Sequence, residues 1–161
     1  MEDKLKIFLD ITDHVKVFEL LQKLNSTDKP IFGIMTPQHM VEHLIFTLQI
    51  SNGEKEIELY YNQEKADKFK RITIYSDREL VRGFKSPALP KDEVLPLAFQ
   101  NLEIAINNLK TELIKFDSYF KINQNSKPIN PVMGELNFKE WIIFHNKHFT
   151  HHFKQFNLLR N

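Results

Sequence analysis

Apolar residues in this chain recur mostly at helical spacing. In residues 13–24, DHVKVFELLQKL, the side chains of Val17, Leu20, Leu21 and Leu24 share one face, which predicts an amphipathic helix. With its approach segment that helix is expected over roughly 4–25. The string NSTDKPIFGIM breaks the pattern. Thr36 and Pro37 then open a second helix, because threonine caps an N-terminus and proline is pre-shaped for the first helical position. Asn52 and Gly53 should end it. Residues 54–90 carry no sustained period; Arg71 to Tyr75 alternates like a short strand, and SPALPKDE reads as loop. Leu102, Ile106, Leu109 and Leu113 mark a third helix, expected over roughly 92–119. Beyond the linker NQNSKPINPVMGEL, Asn137 and Glu140 form an N-x-x-E capping signal for a fourth helix, expected over roughly 138–159, with Trp141 buried beside the second. Four helices with a long irregular connection between the second and third predict an all-α four-helix bundle, one domain over residues 1–161.

Composition narrows the partners. A net charge of +1 over 161 residues gives no global field for nucleic acid or an anionic membrane. Residues 64–85 hold seven Lys/Arg against four Asp/Glu, a modest excess that reads as a solvated surface. The N-terminal MEDKLKIFLDITDH has neither the long apolar run of a membrane span nor a signal-peptide pattern, so a cytoplasmic location is expected. With no cysteine, disulfides, thiolate metal sites and a cysteine nucleophile are excluded together.

Histidines carry the candidate chemistry. Four of the seven lie in HNKHFTHHFKQF, residues 145–156. His148 and His152 are one turn apart on one helix face, and two imidazoles so placed can reach one metal ion at about 2.0–2.1 Å. Trp141, Phe144, Gln155 and Leu159 fall within about 40° of His148, so this stripe should face inward; His145 and His151 sit about 60° to either side. His145 and His14 are expected at the surface or at an edge. On the second helix His39 and His43 repeat the four-residue spacing and share their face with Thr47 and Ile50. Both pairs are expected to point into the bundle, where such folds build metal sites.

The segments FGIMTPQHMVEHL and NPVMGELNFKEWIIFHNKHFTHHFKQF resemble the DinB-like (DinB/YfiT) superfamily of four-helix proteins. The likeness is to a bacterial branch of unknown function with an H-x-x-H-H-x-x-Q-F ending. It covers both ends of the chain; Met133 and Asn130 depart from its usual aromatic residue and histidine. The resemblance implies a divalent metal held by His43, His148 and His152, with Zn or Ni favoured over Fe or Mn. It also implies a small-molecule substrate and transferase or hydrolase chemistry, in which either a low-molecular-weight thiol cosubstrate or a metal-bound hydroxide is activated, the sequence not choosing between them. His39, Glu42 and Gln155 are candidates for supporting the ligands or touching substrate. Nucleic acid and membrane are not expected as partners; a homodimer is compatible. Neutral histidine ligands compete with protons, so metal should leave below about pH 6.

Rival patterns fare worse. His39 to His43 spells H-x-x-E-H, the inverted zinc-peptidase motif, but that leaves His148 and His152 without a role. A di-iron carboxylate site needs Glu-x-x-His on two helices, and neither the second nor the fourth has it. The retained alternative is a non-catalytic helical binding or interaction protein with an empty or vestigial histidine site.

Overall fold

The computed structural model describes residues 7–90 and 92–160. It is mostly helical: α1 His14–Leu21, α2 Pro37–Ser51, α3 Gln63–Ile74, α4 Leu102–Ile122 and α5 Phe138–Gln155, with strands β1 Ile129–Asn130 and β2 Gly134–Glu135 before α5. The all-α expectation holds at the level of class.

The first helix is shorter than expected, and residues 4–6 of its predicted span lie outside the described residues. Asp13 caps α1 by accepting from the Lys16 N–H at 3.0 Å. Ahead of it, the Leu9 N–H donates to Thr150 Oγ1 and the Ile11 N–H to Asn146 Oδ1. Those donors are spent on α5 side chains rather than on a helix, so Leu9 and Ile11 run along α5 with their side chains buried. The second helix matches expectation. Thr36 accepts from the His39 N–H, and the His39 ring returns a contact to the Thr36 backbone, a capping box with histidine in the usual Glu/Gln place.

Two expectations need correction. The 54–90 connection is not irregular with a strand at 71–75; it holds the 12-residue helix α3. Asn62 caps that helix through the Lys65 N–H at 2.9 Å, and Ala66, Phe69 and Ile74 supply its inward face. The third expected helix begins at Leu102 rather than near 92, because residues just before it are held in another way. Glu42 on α2 accepts the N–H groups of Ala98 at 2.7 Å and Phe99 at 3.1 Å, while Gln38 donates to the Phe99 carbonyl at 2.8 Å. With its backbone so engaged, the segment cannot enter the helical ladder, and Asn101 caps α4 instead.

α2 packs most extensively on α4, which also receives α1, while α5 meets both α2 and α3. One cluster of buried residues joins them, from Leu9 and Val17 through Leu44, Leu109 and Phe116 to Phe149 and Phe153. β1 and β2 pair antiparallel, Ile129 opposite Glu135 and Asn130 opposite Gly134. Asn130 Oδ1 accepts from the N–H groups of Val132 and Met133 and so closes the turn between them. Trp141 is fully buried, and its indole N–H donates to the Pro128 carbonyl at 3.2 Å, pinning the linker to α5. α5 ends at Gln155, four residues before the expected stop. No helix among the described residues is long and apolar enough to cross a membrane.

Candidate metal centre

α2 presents His43, and α5 presents His148 and His152 from successive turns of one face. The three rings stand around a common point. Their centroids are 4.8 Å apart for His43–His148, 4.9 Å for His43–His152 and 4.8 Å for His148–His152, each pair meeting edge to face. Nitrogens point at that centre: His43 Nε2 lies 2.9 Å from His148 Nε2, which lies 3.1 Å from His152 Nε2. Ligand-type atoms of the three lie within 4.8 Å of one another, and the group can hold a metal ion.

Burial sets their charge state. It pushes the His43 pKa down to about 4, with nearby His151 adding to the effect. It carries His148 and His152 well below the ordinary histidine value, and the neighbouring rings disfavour protonation further. At neutral pH all three are uncharged, the form in which imidazole binds metal.

Gln155 decides one tautomer. Its amide nitrogen donates to the Phe32 carbonyl at 2.9 Å, which fixes the amide's orientation and turns Oε1 toward His152 Nδ1 at 2.8 Å. Oε1 only accepts, so Nδ1 carries the hydrogen and His152 Nε2 offers a lone pair to the centre.

The central nitrogens are then over-committed. His148 Nε2 has one bonding direction in its ring plane, yet two other Nε2 atoms lie within 3.1 Å of it. A single hydrogen satisfies one of those contacts and leaves the other lone pair opposed. A tetrahedral ion with bonds of about 2.0–2.1 Å sets its ligands about 3.3–3.4 Å apart, between the two short contacts seen here and the 4.8 Å within which all three ligand atoms lie, so local side-chain adjustment would bring the three lone pairs onto one cation. The residues fit a metal in number, donor type and protonation. His148 Nδ1 is buried without a hydrogen-bond partner, so Gln155 gives His152 a support that His148 lacks.

The other sequence candidates go elsewhere. His39 does not join the centre; its Nδ1 lies 2.7 Å from Thr36 Oγ1 in the α2 cap. Glu42 is occupied by Gln38 and the 98–99 backbone. His145, expected at an edge, is wholly buried. The helix stripe is wider than the angular argument assumed, because Trp141 stacks on one face of His145 and Phe116 meets it edge-on. Its Nε2 lies 2.9 Å from Ser51 Oγ, whose own hydrogen goes to the Leu48 carbonyl, so His145 donates to the serine. Burial holds its pKa down to about 3. His14 stays near the surface, 3.2 Å from Asp117.

Phe144 stacks on His148 at 5.1 Å and covers that side of the centre, while His43 keeps part of its surface exposed. A cavity of about 400 Å³ lies away from the histidines, among Leu59, Gln63, Lys70, Lys127 and Gly134. A smaller one, about 50 Å³, adjoins the centre through His151 and Phe32 but is not lined by the three histidines. Donor geometry and not volume makes a metal site, so the triad is the candidate centre despite the volume elsewhere. No protein-family model, curated protein or solved structure matches the chain.

Proposed function

We propose that this chain is a metal-dependent enzyme acting on a small molecule in the cytoplasm, by transfer or hydrolysis, on a DinB-like four-helix scaffold. The observation that carries the reading is the convergence of three neutral Nε2 atoms from two helices, with no carboxylate in the group. A divalent ion at that point, Zn or Ni before Fe or Mn, supplies Lewis-acid polarisation and lowers the pKa of a thiol or water it holds. Three ligands leave coordination positions open, the pattern of catalytic rather than structural sites. His43, His148 and His152 hold the ion; Gln155 orients His152; Phe144 excludes water from the His148 side. Approach is favoured past His43, the ligand with surface to spare.

Elemental analysis of protein purified without a histidine tag tests the reading. Near-stoichiometric metal that disappears in His148→Ala is the expected result, followed by a change in the cobalt-substituted spectrum when a low-molecular-weight thiol is added. A metal-free protein that also fails to take up added Zn or Ni would remove the proposal. One observation favours a second reading, a non-catalytic binding protein: neither cavity is lined by the three histidines. A metal-loaded protein whose cobalt spectrum ignores thiols and small anions would select it.

A further inference from the structure

Residues 31–33 lie against the C-terminal end of α5 and grip one residue from two sides. The Ile31 N–H donates to the Gln155 carbonyl at 2.8 Å, one of the acceptors that a helix end leaves without an internal partner. The Phe32 carbonyl accepts from the Gln155 side-chain amide at 2.9 Å. Between them the strap comes so close that a Cβ on Gly33 would sit 3.0 Å from Gln155 Nε2, and Gly33 has φ +78°, where side chains are disfavoured. Phe32 is held in turn by the His151 ring at 5.1 Å and by the Arg82 guanidinium 4.4 Å above its own ring.

We infer that this strap sets the strength of the metal centre by locking His152 in the tautomer that can ligate. The proposal rests on the metal-dependent reading above and assigns regulation to the same site. An amide side chain offers a donor at one end and an acceptor at the other, and nothing intrinsic to Gln155 says which end meets His152. The Phe32 carbonyl, which only accepts, makes the choice: it claims the NH₂ group and presents the oxygen to His152 Nδ1. With the strap displaced the amide is free to turn its NH₂ to the imidazole. Nδ1 then accepts, the hydrogen moves to Nε2, and the ligand lone pair is lost from the centre. Gln155 is therefore a positioning residue acting through His152, and the strap acts through Gln155. His152 is the ligand that can be switched in this way, because His148 Nδ1 has no partner of its own.

The test uses the full untagged chain and two variants that leave the three histidines untouched. Gln155→Leu removes the relay; Gly33→Ala keeps every polar group but pushes a methyl toward Gln155 Nε2. Zinc affinity by competition with a chromophoric chelator is expected to fall about 10–100-fold in Gln155→Leu, the range for losing a partner behind a metal-bound histidine, and about tenfold in Gly33→Ala. Imidazole ¹⁵N shifts of the metal-free protein should show His152 protonated at Nδ1 in the parent chain and a mixture in both variants. A purely structural Gln155 would lower the thermal midpoint yet leave affinity and tautomer alone, and that result overturns the proposal. So does a parent His152 protonated at Nε2. If the parent chain binds no zinc, the metal reading fails, while the ¹⁵N shifts still decide whether the strap controls the tautomer.

Discussion

At His148 the geometry of the centre and its vulnerability coincide. Its Nε2 is the nitrogen within 3.1 Å of both others, so replacing His148 with alanine should abolish stoichiometric metal while the helices persist. Metal analysis and circular dichroism on one sample check both halves. His145 gives the contrast, being equally buried on the same helix and far less consequential. Its one hydrogen bond goes to Ser51, which keeps its own bond to the Leu48 carbonyl when the ring is removed. His145→Leu removes one neutral hydrogen bond to a serine that keeps its other bond, and with it the unmet Nδ1, so it should destabilise by about 1 kcal/mol and leave metal content intact. A denaturant titration beside the metal assay decides. Loss of metal in His145→Leu would show that the centre reaches further along α5 than the three rings.

Among the elements, the least legible was α3. The other helices announced themselves by apolar residues at helical spacing or by capping signals at Thr36-Pro37 and Asn137/Glu140, whereas α3 is mostly polar, with Ala66 and Ile74 as its buried residues and Phe69 packed partly against the core. Arg71 to Tyr75 imitated a strand because Ile72 and Ile74 are two positions apart, the spacing that shares one face of a strand; in the helix Ile72 is exposed and Ile74 buried. The missed signal was Asn62 with Glu64 in the first turn, a sound helix start. Removing that cap with Asn62→Ala should cost about 1 kcal/mol, read from a denaturant midpoint. The late start of α4 had two overlooked signals, Pro96 inside the expected span and Asn101 as a cap before Leu102; what was not legible is that Glu42, more than fifty positions away in sequence, holds Ala98 and Phe99. Glu42→Ala should destabilise the chain by roughly 1–3 kcal/mol, the loss of charge-assisted bonds to backbone donors, with zinc affinity unchanged. A large drop in affinity would instead bring Glu42 into the centre. Spacing alone read His148 and His152 as one inward pair, and both do face the centre. It sent His39 inward with His43 as well, and there the structure differs, because capping turns His39 back toward Thr36.

For the whole molecule the buried imidazoles make stability depend on pH in a definite direction. Each has a folded-state pKa below its unfolded value of about 6.5, so below that pH the unfolded chain binds more protons than the folded one. Their contribution is complete above pH 6.5 and is lost progressively through the window below it, past about 4 for His43 and about 3 for His145. Metal-free protein should therefore show a thermal midpoint that is flat near neutrality and declines across that window. The same shift corrects the expected pH of metal release. Protons compete poorly for nitrogens that burial holds neutral, so release should begin below the free-histidine value rather than at it. Metal binding to the folded chain alone adds about 2.7 kcal/mol at a free concentration one hundred times Kd. At about 2–4 °C per kcal/mol for a chain of this size, that is a rise of roughly 5–10 °C in midpoint. Scanning calorimetry at pH 7.5 and pH 5, with and without zinc and with His148→Ala beside the parent, reads these effects together. The zinc-induced rise should appear in the parent at pH 7.5, be largely kept at pH 5, where the folded ligands are still neutral, and be missing from the variant. A rise of equal size in His148→Ala would place the stabilising ion elsewhere on the protein.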